Sequence, residues 1–115
     1  MALIEQTIRL AEVNGDLCYM PELLRVKGRL LLSMPQRDAG GAERCFLQSL
    51  ELSRHQAAPA WELRTATDLA TLWAAQGQCG RGRALLLPVF ERFVEGSDTA
   101  DLKAAERLLA SMAGA

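Results

Sequence analysis

Histidine occurs once in this chain of 115 residues, at His55, and cysteine three times, at Cys18, Cys45 and Cys79. An odd number of scattered thiols, with no C-x-x-C pair and no histidines beside them, argues against a disulfide framework and a zinc site. It points instead to a reducing, cytoplasmic setting. An excess of one charge is also lacking: 13 basic side chains against 14 acidic leave a formal charge of -1. No bulk attraction to nucleic acid or anionic lipid is therefore encoded. The longest greasy runs, Leu30 to Leu32 and Leu85 to Leu87, fall far short of the roughly 20 residues that span a bilayer. Glu5 and Arg9 stand in a helical pattern where a signal peptide would carry a basic start and an apolar stretch. The expectation is a soluble protein with no membrane segment. No segment alternates with period two for long enough to make a strand, and β-branched residues are few, so a sheet is not expected.

Half of the residues are apolar, enough for one compact domain with a modest margin of stability. Their spacing is helical. Leu3, Ile4, Ile8, Leu10 and Ala11 predict a first helix within 1–14, stopped by Asn14-Gly15-Asp16. Pro21 suits a first helical position and Glu22 complements the dipole of the second helix, which carries Leu24, Gly28, Leu31 and Met34 and breaks at Pro35. Asp38 is placed to cap a third, with Ala42, Phe46 and Leu50 on one face, although Gly40 and Gly41 should weaken its first turn. That helix ends near Gln56. Pro59 opens a fourth, with Trp61, Leu63, Ala66, Leu69, Ala70 and Trp73 in its apolar set, until Gly77 stops it. Leu85, Leu86, Val89, Phe90 and Phe93 mark a fifth, which Pro88 should bend without ending. Gly96 closes it, and Asp98 or Thr99 caps a sixth, holding Leu102, Ala105, Leu108, Leu109 and Met112.

Short connections make successive helices antiparallel, and the order of small and large residues divides them into pairs. Leu24, Gly28 and Leu31 lead to Ala42, Phe46 and Ser49; Ala66, Ala70 and Trp73 lead to Gly77, Gly82, Leu86 and Val89. Two helices approach closely only where one offers glycine or alanine and its partner fills the adjoining groove with a larger side chain. This pattern resembles the tetratricopeptide (TPR) repeat, a unit of about 34 residues built as helix, turn and helix. The resemblance implies an all-α superhelix of antiparallel helix pairs, about six helices in one domain. Its parts would be an unpaired first helix (1–14), a first hairpin (21–56), a second hairpin (59–95) and a capping helix (98–113). The first hairpin departs from the pattern by its longer turn, Pro35 to Gly41, and the second by lacking the usual alanine at Gly82. More specifically, Pro21 to Leu32, Trp61-Glu62-Leu63-Arg64, Asp68 to Trp73 and Glu95 to Lys103 look like the C-terminal TPR-like tail of bacterial ATPase-containing regulators, both adenylate or guanylate cyclase-like proteins and transcriptional regulators. What this implies is a sensory or scaffolding segment, because the nucleotide-binding and cyclase motifs of those proteins are absent.

In such arrays the first helices of successive repeats line the concave surface. Carrying over those positions, Glu22, Arg25, Arg29, Arg64, Thr67 and Thr71 should face a groove. Three arginines there would favour an acidic peptide or a chain-terminal carboxylate. Leu3, Ile4 and Ile8 give the first helix a greasy face that needs a cover, either the first hairpin or a second copy of the chain in a homodimer. The chemistry-bearing residues read more plainly. Glu51 and His55 lie one turn apart, but a helix-end histidine near the dipole is the ordinary case. Gly77, Gly80 and Gly82 with Arg81 and Arg83 follow a helix, lack a Gly-Lys-Ser/Thr ending and coincide with an expected turn, so they make no phosphate loop. Trp61 and Trp73 at helical spacing suit packing better than a stacking platform. The chain therefore reads as a non-enzyme with no cofactor and no metal, a protein-interaction or scaffolding module; the alternative is a self-associating helical domain that oligomerises a larger assembly.

Overall fold

The computed structural model describes residues 2–13, 19–93 and 100–113. They form six α-helices and no strand: α1 (Ala2–Val13), α2 (Met20–Ser33), α3 (Ala39–His55), α4 (Pro59–Ala75), α5 (Cys79–Phe93) and α6 (Ala100–Ala113). The stops expected at Asn14-Gly15-Asp16 and Gly96, and the cap at Asp98 or Thr99, lie outside the described residues.

Local chemistry explains most boundaries. Pro21 stands in the first turn of α2, where its missing N–H leaves no bond unmade. That helix stops at Met34, whose backbone is extended at φ -70° and ψ 153°, as the residue before a proline prefers. Asp38 caps α3 by accepting a hydrogen bond from the Gly41 amide at 2.9 Å. A Cβ at Gly41 would collide with that carboxylate, so the glycine expected to weaken this turn instead lets the cap close over it. The helices α3 and α4 end in the same way. Ala58 N–H reaches back to the Ser53 carbonyl at 2.8 Å, and Gln78 N–H to the Trp73 carbonyl at 2.8 Å, the long bond of a Schellman turn. Gly77 takes the left-handed position in the second, at φ 77°, and Ala57 takes it in the first, at φ 53°. Because α5 begins at Cys79, Gly80, Arg81, Gly82 and Arg83 lie inside a helix and not in the turn expected for them. Pro88 is internal to α5, which continues to Phe93.

Contacts between named residues fix the order and direction of the helices. Phe46 of α3 lies over Gly28 of α2, while Ser49 Oγ donates to the Pro21 carbonyl at 2.7 Å, so α2 and α3 run antiparallel. Between α3 and α4, Glu43 meets Trp73, Ser49 meets Thr65 and Arg54 meets Glu62; these two are antiparallel as well. Between α4 and α5, the Ala70 backbone lies against Gly82 and Glu62 binds Arg92. A Cβ on Gly82 would sit 3.0 Å from the Ala70 carbonyl oxygen and 3.3 Å from Met112 Sδ, so glycine there lets α5 nestle between α4 and α6. The most extensive packing joins α2 to α3 and α4 to α5, and the two hairpins meet along α3 and α4.

The core is continuous through both hairpins and α6, from Ala42, Phe46 and Leu50 through Leu63, Ala66 and Leu69 to Leu86, Leu102 and Met112. Each leucine, phenylalanine or methionine among them contributes about 1.5–3 kcal/mol on leaving water. One polar chain crosses it. Ser49 has a single hydroxyl proton, which goes to Pro21, so Thr65 Oγ1 must be the donor in the 2.8 Å contact between the two hydroxyls. Ser53 Oγ returns its proton to the Ser49 carbonyl at 2.7 Å. Buried hydroxyls satisfied in this way hold α2, α3 and α4 in one register.

Helices α2 and α4 touch, as do α4 and α6, whereas the backbones of α1, α3 and α5 stay apart, Arg81 of α5 reaching Glu43 of α3 only through its side chain, at 3.6 Å. The stack therefore has an inner side made by the even-numbered helices and an outer side where the odd-numbered ones stand apart. No helix is long and apolar enough to cross a membrane, among the described residues.

Candidate binding face on the even-numbered helices

Because α2, α4 and α6 share one side, residues far apart in sequence meet there. Arg25, Arg29, Arg64 and Thr67 line one cavity of about 280 Å³ together with Asp68, Asp101 and Ala104. Thr71 lines the adjoining cavity, about 310 Å³, whose walls include Leu32, Phe46, Leu72, Arg37 and again Arg29 and Asp68. Five of the six residues expected in a groove thus fall in two contiguous chambers, one polar and one largely apolar. The sixth, Glu22, stands beside the first and grips Arg25.

The three arginines are not equivalent. Arg25 is forked between Glu22 and Asp68, the latter at 2.9 Å, and only 14% of its side chain is exposed. The Glu22 hydrogen bond, with Asp68 adding to it against the desolvation, holds this guanidinium charged well above the ordinary arginine range. Arg64 binds Asp101 of α6 at 2.9 Å. Both belong to the seams between successive even-numbered helices. Arg29 is exposed and has no ion pair among the described residues, and it is shared by both chambers. Asp68 and Asp101 thus occupy two of the three guanidinium groups expected to meet an acidic ligand. Thr67 and Thr71 donate their hydroxyl protons to the Leu63 and Thr67 carbonyls, each at 2.8 Å, which leaves oxygen lone pairs free to accept from a ligand N–H.

Comparison with protein-family models, with curated proteins and with solved structures gives no match. The geometry stands alone.

Other candidates settle into structural places. Trp73 is buried, its indole N–H donates to Glu43, and Arg81 lies over the ring at 3.9 Å from its centroid, so this ring is a packed and capped core residue. Trp61 is half-buried and tilted at 56° against Tyr19, with centroids 5.8 Å apart. His55 and Glu51 are both exposed, and each lines a cleft beside α1. Burial pushes the Cys45 thiol up from its ordinary range, which keeps it protonated and poorly nucleophilic. Among the described residues, no group of three metal-binding side chains comes together.

The first helix divides its apolar face. Ile8 turns into that cleft with Met20 and Leu24 and Ile4 is half-buried, whereas Leu3 is 77% exposed. Leu10 and Val13 are exposed too, at 61% and 82%.

Proposed function

We propose that this chain is a non-catalytic, TPR-like protein-interaction or scaffolding module that holds an extended peptide along the face of α2, α4 and α6. Its resemblance in sequence to the tails of bacterial signalling and transcription regulators makes a regulatory segment of a larger protein the biological setting of this reading. The observation that carries it is Arg29, an exposed cation with no ion pair among the described residues, standing where a polar and an apolar chamber join. A peptide with a carboxylate next to an apolar side chain matches that arrangement: the carboxylate on Arg29, the side chain between Leu32 and Leu72.

The test uses a short acetylated peptide ending in Leu-Asp with a free carboxylate, titrated into the labelled chain. Amide shifts in α2 and α4 should saturate. Arg29→Ala should weaken binding by about tenfold or more, since a hydrogen bond to a charged group contributes about 1.5–3 kcal/mol. Equal binding by wild type and Arg29→Ala, or no binding, would remove the acidic-peptide reading.

A second reading, self-association of a helical domain, is favoured by the exposed Leu3, Leu10 and Val13 on α1. Under it, sedimentation should show a dimer that Leu3→Glu/Val13→Glu converts to a monomer. A monomer at high concentration in the wild type would end it.

A further inference from the structure

Over α4, the space between α3 and α5 is closed by an ion cluster. Buried Glu62 accepts from Arg54 of α3 at 3.0 Å and from Arg92 of α5 at 2.9 Å. One layer earlier, among the described residues, the space over α2 between α1 and α3 is open. Leu24 stands there three residues beyond Pro21, as Glu62 stands three beyond Pro59. With Ile8, Met20 and Leu52 it makes the apolar floor of a cleft of about 470 Å³, within the roughly 300–1,000 Å³ of ligand sites.

The flanking charges are reversed relative to the layer below. Where Arg54 and Arg92 flank Glu62, this cleft carries the carboxylates of Glu12 on α1 and Glu51 on α3, with Gln48 and His55 also on its α3 wall. Both carboxylates are exposed, and neither has an ion pair among the described residues. Lys27, on the same seam between α1 and α2, is already paired with Glu5 at 3.9 Å. Arg9 lines a different cavity with Leu10 and Val13. An apolar floor between two unpaired carboxylates complements a cation carried on an aliphatic stem, which buries its methylenes and leaves its charge at the rim.

We propose that this cleft receives a basic amphipathic helix of a partner protein. The stem of one lysine or arginine lies over Leu24 and Leu52 with its charge between Glu12 and Glu51, and a neighbouring aliphatic side chain packs on Ile8 and Met20. Helix-in-groove docking supplies the affinity, and the two carboxylates reject acidic helices by like-charge repulsion. The site is separate from the face around Arg29 and stands or falls without it.

The experiment is a methyl NMR titration of the full chain with a short acetylated Lys/Leu amphipathic peptide, and with the same peptide carrying glutamate at every lysine. The lysine peptide should shift the methyl groups of Ile8, Leu24 and Leu52 saturably and the glutamate peptide should not. Glu12→Gln/Glu51→Gln should weaken the lysine peptide by about tenfold, with an unchanged thermal midpoint confirming that the fold is intact. Equal shifts from both peptides, insensitivity to the double variant, absence of shifts at those methyls, or shifts centred on Arg29 would each overturn the proposal.

Discussion

Phe46→Ala is expected to lower the free energy of unfolding by about 3–5 kcal/mol, the range for emptying an aromatic site in a packed core. Phe46 is fully buried, and its ring is the surface on which α2 lies: a Cβ built on Gly28 would be 2.6 Å from its Cε1. Gly28→Ala should therefore destabilise, even though alanine suits a helix better by up to about 1 kcal/mol. Overpacking costs about 1–3 kcal/mol, which leaves a net loss on the order of 1 kcal/mol. Urea denaturation checks both, and a cycle with Phe46→Leu should show strong coupling because the smaller side chain makes room for the new methyl group. A neutral or stabilising Gly28→Ala would mean that close approach does not hold the first hairpin together.

Arg25→Ala is expected to cost about 2–3 kcal/mol. An exposed ion pair contributes about 0–1 kcal/mol, and breaking a buried one costs about 3–5 kcal/mol; Arg25, 14% exposed between carboxylates that are 26% and 23% exposed, lies between these cases. Its loss leaves Glu22 and Asp68 half-buried and unpaired. Adding Glu22→Gln and Asp68→Asn should then recover much of the stability, because it removes the stranded charges. The contrast is Arg64→Ala, whose pair with Asp101 is more exposed and should matter by less than about 1 kcal/mol. Since the folded state lifts the Arg25 guanidinium above its ordinary range, raising the pH weakens its contribution only on passing through the lifted value. The guanidinium therefore does not titrate in ordinary buffers. If Arg25→Ala proves no worse than Arg64→Ala, the seam between α2 and α4 is held by apolar packing alone.

The helices and their hairpin pairing were legible because the signals are local or periodic. Pro21 and Pro59 open helices, Asp38 caps one, Gly77 stops another, and Gly28 answers Phe46 across the first hairpin. Which residues share the face of the even-numbered helices was legible by position, since five of the six named line the two chambers. The electrostatics of that face were not. Nothing near Arg25 in sequence marks Asp68, 43 residues away, as its partner, and nothing near Arg64 marks Asp101, 37 residues away. The glycines before Arg83 look like a turn by composition, yet α5 already runs through them because Gly82 is needed for contact with Ala70 and Met112. The ion cluster around Glu62 escaped for the same reason: its three members come from three helices.

Ala57 bears on how the second hairpin finds its place on the first. It holds a left-handed backbone that disfavours a residue with a Cβ by about 1–2 kcal/mol, while Gly77 makes the equivalent bend without that penalty. The corner from Ser53 to Ala58 is closed by its own Ala58-to-Ser53 backbone bond and braced by the Ser49–Thr65 and Arg54–Glu62 links between the helices it joins, so it should firm up as those helices dock.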